Sequence, residues 1–467
     1  MFFKLFLFLP LAAAALASAN SQKVFPFDYV QEDLPSGLRL ITIPTDYPNI
    51  VALFIVVRTG SRNEVEPGHT GFAHLFEHMM FRGTEKFPAE KYTEALARAG
   101  AASNAFTTDD FTACHTTFSK EDLDQILMME ADRFQNLKYT EPQFKTEALA
   151  VLGEYNKSSA DPASKLFEAL QETAFERHTY RHTTMGFLKD IQDMPNQYDY
   201  SLKFFDRYYR PEYATIIVAG DVQPKNVRKL VDNYWSGWKR GSYQAAIPPE
   251  PPQEAPRTNH VDWPRPTLPW VVVAYHGPAY TDTAKDSAAL DALGDLAFSR
   301  NSDLYQKLVI HEQKVDFLRG ANEDRVDPSL FAIEARVKKP EDMNYVRDQI
   351  LETVKMFAAK PVAADRLEAM KKHLRYSFSL RLDNSQAIAA TAARYVALRG
   401  TPETINRVYD IYAQLTPEDI QQMARKYLTE NNRTIVTLTG AAAGGARLSR
   451  LWLRSCWPQA RSRRSAW

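Results

Sequence analysis

The chain has 467 residues, more than one hydrophobic core usually accommodates, so two or more domains are expected. Lysine plus arginine and aspartate plus glutamate each number 57, and the formal net charge is +0. That balance indicates neither nucleic acid nor an anionic membrane as a partner. The content of 45% hydrophobic and 12% aromatic residues is typical of a globular protein and not of a disordered one.

Residues 1–19 have the pattern of a signal peptide. Lys4 precedes a short apolar run from Leu5 to Leu16, and Ala17-Ser18-Ala19 forms a cleavage site of the A-x-A type. The run is too short to cross a bilayer, and a buried N-terminal helix is the less favoured alternative. We therefore expect an exported protein, with the bacterial periplasm favoured and no integral membrane segment after cleavage.

Residues 20–244 are predicted to form an N-terminal α+β domain. The pattern of apolar residues predicts strands over 38–43, 50–58 and 212–220, and a strand pair within 103–118. It predicts helices over 70–81, 89–99, 120–136 and 141–157. Thr70 is the expected N-cap of the first helix.

Residues 245–269 contain eight prolines, a density typical of an extended, semi-rigid connector. A C-terminal α+β domain over 270–439 then repeats the order of the first. Its strands are predicted over 270–275, 330–337 and 433–438, and its helices over 283–298, 341–358, 363–380 and 384–398. The repeated order predicts two similar domains related by internal duplication. Residues 440–467 lack periodicity and are predicted to lie outside the fold, either as a basic tail or as a product of a shifted reading frame.

The helix over 70–81 carries side chains that bind metals. His74, Glu77 and His78 share one helical face, and two imidazoles one turn apart can bind the same zinc ion. The order H-x-x-E-H is the inverzincin signature. A solvated surface face is the alternative, but apolar residues surround the motif on nearly all sides of the helix. These residues are Phe72, Leu75, Phe76, Met79 and Met80.

A catalytic zinc ion usually has three protein ligands and a water molecule, so a third ligand is needed. Glu147 and Glu154 lie seven residues apart on the helix over 141–157, among apolar neighbours. Buried carboxylates require partners, and a metal site would supply one. An ordinary exposed helix face is the alternative.

The motif His74 to His78, followed by Glu154 at 154 − 78 = 76 positions further on, resembles the pitrilysin family of zinc peptidases. That family includes insulin-degrading enzyme and mitochondrial processing peptidase. The resemblance spans residues 26–439, and the segments 81–84, 104–107, 209–211 and 218–221 also carry it. It implies two α+β domains, each an antiparallel-type sheet packed with helices, that form a clamshell around a cavity.

The resemblance also implies a role for each matching residue. His74, His78 and Glu154 would bind zinc, Glu77 would be the catalytic carboxylate, and Glu147 would support a ligand from behind. The segment Asn104, Ala105, Phe106 and Thr107 would form an edge strand that pairs with the backbone of a peptide substrate.

The second half departs from the family pattern. Members usually carry an arginine and a tyrosine there, which hold the substrate carbonyl near the zinc. Val309 stands where the arginine is expected and Phe317 about where the tyrosine is expected, and neither side chain can donate a hydrogen bond. We therefore expect a zinc-dependent endopeptidase that works as a dimer, including a heterodimer in which a homologous subunit supplies the missing pair. A non-catalytic peptide-binding or scaffold subunit is the alternative, and metal storage or transport is disfavoured.

Overall fold

The computed structural model describes residues 23–441. The predicted signal peptide, and the predicted tail apart from its first two residues, lie outside that range. Within it, the chain forms two units in which helices pack on a β-sheet, which confirms the predicted α+β class with two similar domains. None of the helices in residues 23–441 combines the length and the hydropathy that a bilayer crossing requires.

The first sheet has six strands in the order β1-β2-β6-β3-β5-β4. Strands β2 and β6 are parallel, and all other neighbours are antiparallel. The strands are β1 Val30–Asp33, β2 Arg39–Pro44, β3 Ile50–Val57, β4 Ala102–Thr107, β5 Thr112–Ser119 and β6 Ala214–Gly220. The helices of this half are α1 Phe72–Met79, α2 Ala89–Arg98, α3 Leu123–Asn136, α4 Glu141–Ser158, α5 Pro162–Ala174, α6 Leu188–Asp193, α7 Tyr198–Tyr208 and α8 Pro224–Trp235.

The second sheet has five strands in the order β7-β11-β8-β10-β9, with β7 and β11 parallel and the rest antiparallel. The strands are β7 Arg257–Trp263, β8 Trp270–His276, β9 Val315–Asn322, β10 Leu330–Val337 and β11 Arg433–Gly440. The helices are α9 Asp286–Phe298, α10 Asp303–Tyr305, α11 Met343–Ala359, α12 Ala364–Ser379, α13 Ser385–Arg399, α14 Glu403–Gln414 and α15 Pro417–Tyr427.

The second sheet repeats the first one strand by strand, without a counterpart of β1. In each sheet a parallel pair (β2 and β6, or β7 and β11) is followed by three strands that pair antiparallel. Strands β4 and β9 therefore hold equivalent edge positions. This matching topology agrees with the predicted internal duplication, and it is stronger support than the repeated order of elements.

The two halves exchange one helix each. Helix α13 of the second half packs on strands β3 and β6 of the first sheet, and its Ile388 joins the core that contains Phe54 and Ile217. In return, helix α5 of the first half packs on β7, β8 and β11 of the second sheet. There Leu166 and Leu170 are buried with apolar residues of the second sheet. Each sheet therefore depends on the other half to cover one of its apolar faces.

The predicted connector is shorter than 245–269. Residues 245–256 contain neither helix nor strand, but Arg257–Trp263 is strand β7 and pairs with β11. The prediction of a connector is therefore wrong for residues 257–263. Pro256 and Pro264 flank the strand, but the strand itself contains no proline, so each of its residues has a backbone N–H group that can donate a hydrogen bond to a neighbouring strand. The carboxylate of Glu250 accepts hydrogen bonds from the backbone N–H groups of residues 176, 177 and 178, which attaches the connector to the first half.

Because of the exchanged helices, the two halves should unfold together. We expect Ile388→Ala to destabilise the whole chain by about 2–5 kcal/mol, the usual effect of truncating a fully buried side chain. Differential scanning calorimetry should show one transition for the native chain and one, at lower temperature, for the variant. The matched control is Met356→Ala on α11, where the side chain is 43% exposed and little change is expected. Two separate transitions, with only one shifted, would contradict the prediction.

Candidate functional site

Helix α1, which carries the motif, begins at Phe72 and not at residue 70. Its N-cap is Gly71, which has a left-handed conformation (φ 90°) that favours glycine. The prediction that Thr70 is the N-cap is therefore wrong. Glu64 takes over the capping role, because its carboxyl oxygens accept hydrogen bonds from the backbone N–H of Gly71 (2.8 Å) and Ala73 (2.7 Å). The hydroxyl of Thr70 instead donates to Asp190.

Glu64 is a site residue that the sequence analysis missed. It is fully buried, and this burial raises its pKa to about 8 although the two backbone donors act in the opposite direction. The usual capping signals lie within three residues of the cap, whereas Glu64 lies seven residues before Gly71. No local pattern could have identified it.

The three predicted zinc ligands lie together. His74 Nε2 is 3.5 Å from Glu154 Oε2, and His78 Nε2 is 3.7 Å from Glu154 Oε1. One ligand atom from each of the three side chains lies within 4.8 Å of the other two. Across residues 23–441, no other three His, Cys, Asp or Glu side chains bring their ligand atoms so close. The proximity fits the predicted ligand set, and metal binding by these residues stays a prediction.

The protonation of His74 also fits a metal site. Burial, and after it the charge of nearby His78, lowers the pKa of His74 to about 4, so its imidazole is neutral at pH 7. Neutral imidazoles and a carboxylate are the donor types that a catalytic zinc ion accepts. The side chain of Glu154 is 51% exposed, so the cluster opens to solvent on that side.

Glu147 lies behind His78, on the side away from Glu154. Its Oε2 is 3.3 Å from His78 Nδ1, and its other oxygen forms an ion pair with Arg82. A carboxylate in this place fixes the orientation and the tautomer of the imidazole, which leaves Nε2 available for a metal. Arg82 is therefore a further supporting residue, which the sequence analysis did not assign to the site.

Glu77 lies on the same face of α1 and contacts strand β4. Its Oε2 accepts a hydrogen bond of 2.7 Å from the hydroxyl of Thr107. Burial raises the pKa of Glu77, while the hydroxyl and the backbone amide of Thr107 lower it. A partly buried carboxylate beside two imidazoles is suited to accept a proton.

The predicted substrate-binding segment 104–107 lies on β4, which is the last strand of the first sheet and has one free edge. Ala105 packs in the core beside α1, whereas Phe106 points to the opposite face and is 36% exposed. A free edge next to the cluster is the geometry that β-augmentation by a peptide requires. Binding by these residues stays a prediction.

Val309 and Phe317 lie in the second half. Val309 is partly buried against the core that includes α9, and the ring of Phe317 lies 5.8 Å from that of Trp270. Both side chains serve packing, and neither has a hydrogen-bond donor. The expectation that the arginine and tyrosine pair is missing from this chain therefore stands as a hypothesis.

Two family models match the chain. The model described as Insulinase (Peptidase family M16) matches residues 39–187, the segment that contains the whole cluster. The model described as Peptidase M16 inactive domain matches residues 197–374. The two matches follow one another along the chain, and the second begins within the first half, just before α7.

Individual relatives and a solved structure agree with these matches. The zinc protease PqqE of Helicobacter pylori is 27% identical over 428 residues, which cover 90% of this chain and 95% of that protein. A probable mitochondrial-processing peptidase subunit beta of Arabidopsis thaliana is 24% identical and covers 86% of this chain and 76% of its own length. The crystal structure of a protease from Helicobacter pylori has a TM-score of 0.82 at 26% identity and covers 88% of this chain and 99% of that one.

The contact between Glu147 and His78 leads to a test of metal affinity. We expect Glu147→Ala to weaken zinc binding by about 10- to 100-fold, because His78 would lose the carboxylate that orients it. Competition with a zinc chelator of known affinity would measure the change. The matched control is Glu141→Ala on the same helix, where the side chain is exposed and forms an ion pair with Lys145. Equal zinc affinity in the Glu147 variant and the native chain would contradict the assigned role.

Proposed function

Because the chain belongs to the insulinase-type peptidase family M16, we propose that it is a zinc-dependent endopeptidase acting on peptides or unfolded polypeptides. The observation that carries the proposal is the convergence of His74, His78 and Glu154, with Glu77 on the same helical face. Three protein ligands with a nearby carboxylate that does not bind the metal are typical of a hydrolytic zinc site. In a structural zinc site, by contrast, protein side chains fill all four coordination positions.

The proposed roles follow from the contacts of each side chain. His74, His78 and Glu154 would hold the metal, which when bound lowers the pKa of water and polarises a carbonyl. Glu77 would accept the proton of the attacking water and pass it to the leaving amine. Strand β4 would bind the substrate backbone along its free edge, which places an extended peptide beside the cluster. Glu147 and Arg82 would keep His78 in place.

The proposed location is the bacterial periplasm, and the proposed working form is a dimer. The location rests on the signal peptide pattern of residues 1–19. The proposed dimer rests on Val309 and Phe317, which stand about where the family resemblance leads us to expect a carbonyl-binding pair and cannot donate hydrogen bonds. A homologous subunit could supply the pair, and one relative is itself named as a processing-peptidase subunit.

A second candidate function is a non-catalytic peptide-binding subunit of the same fold. It is favoured by the same missing donors, since a site without them stabilises a developing oxyanion less well. The complete ligand cluster with Glu77 favours the peptidase. The two functions differ in one measurable respect, because only the peptidase turns over substrate.

The first test replaces the proposed catalytic carboxylate. We expect Glu77→Gln to lower kcat by about 10²–10⁴-fold while zinc stays bound, because the amide cannot accept the proton. Cleavage of a fluorogenic peptide library, with zinc content determined on the same samples, checks both parts. Glu90→Gln on the exposed face of α2 is the matched control. Native turnover in the Glu77 variant would remove Glu77 from the mechanism.

The second test concerns the partner. We expect the isolated chain to cleave peptides weakly and a homologous subunit that carries the arginine and tyrosine to increase the rate. Co-purification from the native source, followed by assays of the chain alone and of the mixture, measures this. A high rate from the pure isolated chain would contradict the heterodimer, and zinc-loaded complexes without turnover would favour the non-catalytic subunit.

A further inference from the structure

Thr107, the last residue of strand β4, contacts the carboxylate of Glu77, the proposed catalytic residue. Its hydroxyl donates a hydrogen bond to Glu77 Oε2 at 2.7 Å. We infer that Thr107 is a positioning residue that holds the Glu77 carboxylate in its working orientation. This inference rests on the proposed peptidase function.

The pleat of strand β4 places the Thr107 side chain on the helix side of the sheet. Residues 103, 105 and 107 alternate with 104 and 106, and successive side chains point to opposite faces. Ala105 is buried in the core that contains α1, and Phe106 lies on the other face, 6.2 Å from the ring of His115. The register with β5, in which Thr107 pairs with Thr112, therefore directs the hydroxyl of Thr107 to α1.

A glutamate needs such a contact in order to act as a base in one defined direction. The terminal torsion of its side chain is broad, with no sharp staggered minima, so the carboxylate turns easily when nothing holds it. The hydroxyl of Thr107 on the neighbouring strand restricts that freedom, because it holds one carboxylate oxygen in place. The carboxylate therefore keeps one orientation relative to the imidazoles of His74 and His78.

The hairpin that carries Thr107 is itself anchored to the other half. Just beyond β4, the Asp110 carboxylate accepts a hydrogen bond of 2.6 Å from the Tyr180 hydroxyl and one of 3.0 Å from the Val326 backbone N–H. Asp110 is almost fully buried at this junction. The segment that contains Thr107 is therefore held by contacts with both halves of the chain. A segment held in this way is suited to positioning another side chain.

Two possible roles of Thr107 predict different changes in the kinetic constants. If the hydroxyl positions Glu77, its removal lowers kcat and leaves KM unchanged, because substrate binding along the backbone is intact. If the side chain contacts substrate, its removal raises KM instead. Zinc content should stay the same in either case, since Thr107 contacts none of the three predicted ligands among the hydrogen bonds of the described residues.

The experiment compares Thr107→Val, Thr107→Ser and the matched control Thr116→Val in the mature full-length chain, with its partner if one is required. Thr116 donates a similar hydroxyl bond to Ser103 between the same two strands, away from Glu77. We expect Thr107→Val to lower kcat by about 10- to 100-fold, as expected for a misplaced reacting group, with KM, zinc content and melting temperature unchanged. Thr107→Ser should restore kcat, and Thr116→Val should leave it unaltered.

Three outcomes would overturn the inference: a native kcat in Thr107→Val, a rise in KM alone, or an equal loss in Thr116→Val. The Glu77→Gln variant is assayed in the same series. If Glu77→Gln loses turnover while Thr107→Val keeps it, only the positioning role fails. If the native chain itself shows no zinc-dependent turnover, the proposed function fails, and the inference with it.

Discussion

The site depends on one helix, α1, which must bury an apolar face while it presents His74, Glu77 and His78 on another. Phe72, Leu75, Phe76 and Met79 fill the core against the first sheet. Burial of a helix N-terminus leaves backbone N–H groups without water, and they require other partners. The carboxyl group of Glu64 meets that requirement at two N–H groups. This contact fixes where α1 begins, and thereby the direction in which the motif points.

The two imidazoles are supported differently. A carboxylate, itself paired with Arg82, lies behind His78, whereas Nδ1 of His74 is buried without a hydrogen-bond partner in the described part of the chain. Packing therefore orients His74, and charge orients His78. Glu154 is the most exposed member of the cluster, so the open side of the site lies next to α4. Under the proposed function, substrate would approach from that side, with strand β4 beside it.

The choice of Glu154 as third ligand came from the family resemblance. Local periodicity was sufficient to predict the helices α1 and α4, because a helical face depends on spacing within one segment. It could not predict Glu64, the exchange of α5 and α13, or the contact of Thr107 with Glu77, which join segments distant in the sequence. The face on which Thr107 lies depends on the register between β4 and β5, and a shift by one residue would reverse it. The strand β7 was missed because the flanking prolines dominated the composition of the whole stretch.

Helices α5 and α13 each pack on the sheet of the other half. The same exchange of equivalent helices occurs in a domain-swapped homodimer, and here the two exchanging units belong to one continuous chain. A helix that covers the sheet of its neighbour buries the same apolar surface whether or not the peptide chain between the halves is continuous. A protease that cut the exposed residues of the connector would therefore produce two fragments that stay associated and separate only in denaturant. Limited proteolysis would change the band pattern on a denaturing gel and leave the native mass of the particle unaltered.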